Sequence, residues 1–175
     1  IEAAKQLHKK SNKTLFLCRL KSNYQLTLNK GSIEDIITEL VQKYARNKKN
    51  ITFKFDQSSS SFIMIDASII STSLSYIIDN AIKHSNENDE IKLKIETTDS
   101  YVTVLIIDNG SGFSDNNKGI IFDEFNNPDI SHHSQGLGIS LAIARRVATL
   151  HGGSLTIKDN SPRGAIFKFQ ISNNI

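Results

Sequence analysis

Tyr76, Asn80, Lys83 and His84 recur at spacings of four, three and one within a run that reads as helix, so they stack along one face. The amide oxygen of Asn80 is a hard donor suited to Mg²⁺, which keeps waters and phosphate oxygens in its shell. Lys83, one turn further on, can meet phosphate as a point charge. The same stripe also suits a solvated helix face in which Asp79 pairs with Lys83 at i,i+4. Asp108-Asn109-Gly110-Ser111-Gly112 follows an apolar, strand-like run. A carboxylate there, beside glycines that let backbone come close, can accept a hydrogen bond from the exocyclic amine of a purine. An ordinary Asn-Gly turn carries the same residues. The glycine spacing does not fit a dinucleotide-binding loop, and Gly110 stands where a calcium loop needs an oxygen-bearing side chain.

Two further patches lie downstream. Gly136-Leu137-Gly138 precede a helix-like run, where exposed backbone N–H groups and the positive end of the helix dipole favour phosphate; a flexible loop closing onto a helix reads the same way. Ile121-Phe122-Asp123-Glu124-Phe125 places two aromatics three apart, a pattern expected of a core anchor, and Asn126 to Gln135 behind it has the composition of a lid. His132 and His133 lack a cysteine or acidic partner at ligand spacing, so no metal is expected there. Cys18 is expected to be a buried or inert thiol.

The elements that must hold these patches can be read from periodicity. Ile1 to about Tyr24, free of glycine and proline and with Leu7, Leu15, Phe16, Leu17 and Leu20 among lysines, is helical and is expected to begin inside a longer helix. Asn29-Lys30-Gly31 reads as a break. Ser32 caps a helix whose inner face is Ile33, Ile36, Ile37, Leu40 and Tyr44. Short strands follow at Ile51 to Phe55 and Phe62 to Ile65, with the loop Gln57 to Ser61 between them. A long helix, Ala67 to Ser85, turns Ile70, Leu74, Ile77, Ile78 and Ala81 inward. Glu90 to Thr97 and Tyr101 to Ile107 alternate as an antiparallel hairpin. Ile139 to Leu150 is an amphipathic helix stopped by Gly152-Gly153, ahead of strands at Leu155 to Lys158 and Ala165 to Ile171. The result is a mixed sheet with helices on one face.

Composition sets the outer bounds. A chain of 175 residues, 38% hydrophobic and 22% charged, is long enough and apolar enough for one full core. Its single cysteine argues for a reducing compartment, and no apolar run approaches the roughly 20 residues that span a bilayer. A net charge of +3 does not call for nucleic acid or a membrane surface. A cytoplasmic α/β domain is expected.

In this order and spacing the patches resemble the ATP-binding domain of sensor histidine kinases, in the superfamily shared with gyrase, Hsp90 and MutL. LSYIIDNAIKHS from Leu74 resembles the N box and DNGSG from Asp108 the first glycine box. IFDEF from Ile121 resembles the F box. GLGISLAIARRVATLHGG from Gly136 resembles the second glycine box and its helix, and GGSLTI…RGAIFKF the last two strands. The resemblance runs from about Leu28 to Ile171. It implies a two-layer α/β sandwich of the Bergerat type with a mixed sheet, residues 28–175, preceded in residues 1–27 by the end of a dimerisation helix and a linker.

The resemblance also implies ligands and roles. Asn80 would coordinate Mg²⁺ and Lys83 would contact phosphate, with His84 beside the nucleotide. Asp108 would hold the adenine amine in a pocket shaped by Gly110 and Gly112. Gly136 and Gly138 would offer N–H groups to phosphates, and Phe122, Leu137 and Ile139 would line the site. The partners implied are ATP or ADP, the protein's own dimerisation and phosphoacceptor domain in a homodimer, and a response regulator receiver domain. The chain departs from the pattern at Tyr76, where the first asparagine of the N box belongs, at Ser140, where the third glycine of the second box belongs, and in a lid without lysine or arginine. The family's acceptor histidine, usually followed four residues later by proline, has no counterpart, since neither Pro128 nor Pro162 follows a histidine at that spacing. Phosphoryl transfer would then need a histidine outside this chain. The departures leave a degenerate, non-catalytic nucleotide sensor as the alternative. An Hsp90-like ATPase clamp is disfavoured because Tyr76 stands where those relatives keep a glutamate base.

Overall fold

The structure, a computed structural model, describes residues 2–47, 52–56, 62–113, 118–125 and 138–174. Helix α1 (Glu2–Lys21) ends sooner than the sequence suggests, because Asn23 adopts a left-handed φ of 51°, a conformation asparagine tolerates. Leu17 and Leu20 on one side of α1 are buried, which turns Cys18 outward. Of the expected buried or inert thiol, the burial is overturned.

After α1 come β1 (Asn29–Ser32), α2 (Ile33–Asn47), β2 (Thr52–Asp56), β3 (Phe62–Ile65) and α3 (Ala67–His84). The expected break at Asn29-Lys30-Gly31 is instead the start of β1, which pairs antiparallel with β3 as a separate two-stranded sheet. Nothing in Asn-Lys-Gly-Ser favours a strand, so the pairing itself makes one; tertiary context overrides local preference. Ser32 caps α2 as expected, its Oγ accepting from the N–H of Asp35 at 3.3 Å.

The main sheet is mixed, as expected. It comprises β4 (Glu90–Thr97), β5 (Tyr101–Ile107), β6 (Ser154–Asp159) and β7 (Ala165–Ser172) together with β2, in the order β2-β4-β5-β7-β6. Only the β2–β4 pair is parallel. The register stacks Leu93 beside Ile106, Ile106 beside Phe167, and Val104 beside Phe169, so one face is a continuous apolar surface. Lys92 and Glu96 point the other way and are exposed. Against the apolar face lie α2, α3 and α4 (Ser140–Leu150). The inward positions read from α3, namely Ile70, Leu74, Ile77, Ile78 and Ala81, have no exposed surface. Burying each large aliphatic side chain of this kind is worth roughly 1.5–3 kcal/mol.

A polar network centred on the buried Asp66 and His151 joins three segments. Asp66, the N-cap of α3, accepts from Ile69 N–H through Oδ1 at 3.5 Å, and its Oδ2 accepts from Tyr24 Oη and Thr27 N–H, each at 3.1 Å. Its own N–H donates to Nε2 of His151 at 3.2 Å, while Nδ1 of His151 lies 2.9 Å from the Val147 carbonyl. This geometry makes Nδ1 the protonated nitrogen of a neutral ring. Burial pushes the His151 pKa below its ordinary 6.5, against smaller opposing effects from Val147 and Asp66. The unfolded chain therefore binds a proton first as pH falls below 6.5, so stability is complete above that value and declines below it. Urea unfolding at pH 7.5, 6.5 and 5.5 should show the midpoint falling, and His151→Gln should be less stable at pH 7.5 but show a shallower decline.

Candidate functional site

The C-terminal turns of α3 and the end of β5 meet at Asp108. This carboxylate is 2% exposed, and its Oδ1 accepts from Gly110 N–H at 2.9 Å and Ala165 N–H at 3.1 Å. Desolvation pushes its pKa above the usual carboxylate range, and the two backbone N–H bonds and nearby His84 oppose the shift. Two close approaches make the arrangement possible. A Cβ on Gly110 would stand 2.2 Å from the His84 carbonyl oxygen, and one on Gly164, at φ +103°, would stand 2.0 Å from that of Asp108. Asn160 closes the back of the turn, donating from Nδ2 to the Asp108 carbonyl at 2.9 Å and to Asn109 Oδ1 at 3.0 Å. Gly112, at φ +70°, continues the loop into Phe113, whose ring lies 5.9 Å from His84 and 6.0 Å edge-on from the buried Phe167. Asp108, Gly110, Gly112 and His84 are thus brought together, as expected.

Asn80 lies one turn back along α3. Its Nδ2 is buried and has no hydrogen-bond partner among the described residues, so the amide is held without a protein partner for that atom. Lys83 is exposed, and the i,i+4 pair with Asp79 that the alternative, solvated-face reading invokes is not formed among the described residues. Asp79 is instead engaged by Tyr44 of α2, whose hydroxyl lies 2.8 Å from Oδ1. Burial, then the Asp79 charge, pushes the Tyr44 phenol well above its ordinary value. Tyr76, at the departure position, is half-buried and shifted in the same direction for the same reasons.

At the other side of α3, Gly138 at φ +67° and the buried Ile139 lead into α4, and among the described residues no side chain caps its first turn. Its first N–H groups thus have no side-chain cap among the described residues and lie at the positive end of an eleven-residue helix. Ser140 is the first residue of α4 rather than its cap, and its Oγ accepts from Lys13 Nζ of α1 at 2.7 Å. Phe122 packs against the core with the Arg145 guanidinium 5.7 Å from its ring centre, but Phe125 is 62% exposed. Phe125 is therefore no core anchor. Gly136, Leu137, the lid Asn126 to Gln135, and His132 and His133 lie outside the described residues.

Sequence reasoning missed Asn160, Gly164, Phe113 and Lys13. Phe113 had a signal, since it directly follows the glycine box. Asn160 and Gly164 act about fifty residues downstream of Asp108, and Lys13 about sixty upstream of Tyr76, so no local pattern announces them.

Comparison with known proteins agrees with this geometry. Residues 65–175 match the family described as histidine kinase-, DNA gyrase B-, and HSP90-like ATPase. Sensor protein CiaH of Streptococcus pneumoniae is 33% identical over 128 residues, which is 72% of this chain and 29% of CiaH. The chain thus spans under a third of that relative's length. Among solved structures, full-length ShkA in complex with AMPPNP superposes with a TM-score of 0.85 at 24% identity, over 97% of this chain and 36% of that one. Histidine kinase ThkA in complex with the response regulator TrrA gives 0.80 at 22%, over 98% of this chain and 49% of that one. These two carry the fold alone; the family match and CiaH carry the kinship. The chain belongs to the histidine kinase-, DNA gyrase B- and HSP90-like ATPase family, as an ATP-binding domain of the sensor histidine kinase kind.

Proposed function

We propose that this chain binds Mg-ATP and passes its γ-phosphoryl to a histidine outside these 175 residues, for relay to an aspartate on a response regulator. The observation that carries the reading is the buried Asp108 carboxylate. Its Oδ1 is held by two backbone N–H groups, which leaves Oδ2 to accept from the adenine amine, with Gly110, Gly112 and His84 forming the wall beside it. From His84 to Tyr76 the α3 axis runs about 12 Å at 1.5 Å per residue, a span suited to a nucleoside triphosphate lying along the helix. Asn80 stands midway along that span, and the start of α4 with Gly138 lies near its Tyr76 end, where Lys13 meets both Tyr76 and Ser140, an arrangement that suits phosphates. Gly136, Leu137, Ile139 and Phe122 complete the lining in this reading.

The orphaned amide of Asn80 supports a metal role, since rotating the amide offers its oxygen, a donor type Mg²⁺ prefers. Among the described residues no group of three or more His, Cys, Asp or Glu could hold a metal, so phosphate oxygens and water would complete the shell. When bound, Mg²⁺ would neutralise phosphate charge. The protein's own part is positioning: Asp108 fixes the base, α4 and Lys83 hold the phosphates, and the bond from the γ-phosphorus to its bridging oxygen is presented to an incoming imidazole nitrogen. A new N–P bond forms as ADP leaves.

On this reading residues 1–27 are the end of a dimerisation helix, which includes α1, and a linker, and 28–175 form the catalytic unit. Leu7 and Leu15 of α1 are 69% and 55% exposed on the side away from Leu17 and Leu20, which suits a further helix packing there in a homodimer. ThkA's complex with TrrA supports a response regulator as the onward partner. No described helix is long and apolar enough to cross a membrane, and a cytoplasmic site of action follows from the need for ATP and a regulator.

The test is labelled ATP. The longer protein should form an acid-labile, base-stable phosphohistidine, while this chain alone should bind Mg-ATP and remain unlabelled. Label on His8, His84, His132, His133 or His151 of the isolated chain would contradict the reading. Asp108→Asn should weaken ATP about tenfold or more by calorimetry, because a donor then faces the purine amine. Its melting temperature should hold or rise near neutral pH, since burial penalises the charge that the change removes. With Asn80→Ala, nucleotide affinity in Mg²⁺ and in chelator should become alike.

A further inference from the structure

Lys13 of α1 stands at the meeting point of the chain's two departures from the family pattern. Its Nζ donates to Ser140 Oγ at 2.7 Å and sits 4.3 Å from the centre of the Tyr76 ring. Both contacts depend on the residues that depart: a glycine at 140 would offer no hydroxyl, and an asparagine at 76 no ring face. Two contacts from elements as far apart in sequence as α3 and α4 fix the ammonium between them, one turn of α3 before Asn80 and at the first residue of α4. The contact is not a stray surface reach. Lys13, Leu17 and Leu20 share one face of α1 at i, i+4 and i+7, and the two leucines are buried at 3% and 0% exposure. Arg146 of α4 adds a bond from Nε to the Leu20 carbonyl at 3.0 Å, and Lys21 pairs with Glu124 at 2.9 Å. The helix carrying Lys13 is thus seated against the site along its last two turns.

We propose that Lys13 is a polyphosphate-binding residue, contributed to the nucleotide site from α1 rather than from the loops around it. This rests on the ATP-binding reading given above. The charge balance favours it. Phosphates at the start of α4 need cations, and the segment Asn126 to Gln135 contains no lysine or arginine, which leaves Lys83 of α3 as the cation otherwise assigned to them. The serine and the tyrosine then have a joint purpose, which is to aim an ammonium at the phosphate end of the site. By reciprocity, whatever binding Lys13 adds for the polyphosphate the polyphosphate adds to the seating of α1.

The experiment is calorimetry with Mg-ATP, Mg-ADP and adenosine on the 175-residue chain and on Lys13→Met and Lys13→Arg, with melting temperatures taken alongside. Methionine keeps the stem and removes the charge. Lys13→Met should weaken Mg-ATP by about tenfold, as expected for losing one charged hydrogen bond, and leave adenosine unchanged. Lys13→Arg should recover most of the loss, and hydrogen exchange at Leu17 and Leu20 should slow on adding Mg-ATP to the parent chain but not to Lys13→Met. Equal weakening of adenosine and Mg-ATP would mean that Lys13 only seats α1, and would overturn the proposal. Unchanged or tighter Mg-ATP binding by Lys13→Met would overturn it too, the latter by showing that the lysine blocks the site. If the parent chain binds neither adenosine nor Mg-ATP, the ATP-binding reading itself fails, a result distinct from either of these.

Discussion

A carboxylate held at the edge of the hydrophobic layer is the constraint around which the rest of this structure is arranged. Asp108 sits at the end of β5, where the apolar face of the sheet stops, and burial disfavours its charge. Two backbone N–H groups, one from its own turn and one from β7, partly offset that cost. For both to reach the same oxygen, the turn must press against the end of α3 and the β6–β7 connection must press against the turn. Glycine is required at 110 and 164 for that reason, since a Cβ at either would overlap a carbonyl oxygen. The stability lost in holding this charge is recovered elsewhere, in the aliphatic layer beneath α3 and α4. A fold optimised for stability alone would not keep an aspartate here, which is why a ligand with a donor to offer is the economical explanation.

Helix α3 shows how one element serves both requirements. Its inner stripe of isoleucine, leucine and alanine is fully buried, and its outer stripe carries Tyr76, Asn80 and Lys83. The two ends are pinned differently. Asp66 fixes the N-terminus through Tyr24, Thr27 and the buried His151, tying α3 to the segment after α1 and to the end of α4. The C-terminus is fixed by backbone contact with the Asp108 turn. Movement of either neighbour is therefore felt along the helix that would carry the metal and phosphate ligands.

Much of this was legible in the sequence because helical and strand periods are strong where one face is buried. The inner faces of α2 and α3, the β4–β5 hairpin and the Asp108 turn all follow from spacing within about fifteen residues. What was not legible depends on partners far away. The strand β1 exists because β3 pairs with it, and Asn29-Lys30-Gly31-Ser32 has no alternation to announce it. Asp79 looked like a partner for Lys83 until α2 brought Tyr44 against it. Cys18 is exposed because Leu17 and Leu20 mark the covered side of α1, which the sequence of that helix does not announce. Asp108, Gly110 and His84 meet through contacts that the spacing within α3 and the turn could suggest, whereas the support that Asn160 and Gly164 give to Asp108 comes from a loop that carries no motif of its own.

The departures at Tyr76 and Ser140 look different once placed in three dimensions. Taken one by one, each subtracts something from the family pattern: an asparagine at 76, and a glycine at 140. Taken together they are two walls of one small niche, and the group in the niche is a lysine from a helix that precedes the family-matched region entirely. A tyrosine ring attracts an ammonium through its face, and a serine hydroxyl accepts from it, so each substitution is of a kind that favours the same cation. On the proposal made for Lys13, part of the site's positive charge sits on a helix that must be docked for the charge to be present. In such an arrangement the binding of phosphates and the position of α1 become one equilibrium rather than two.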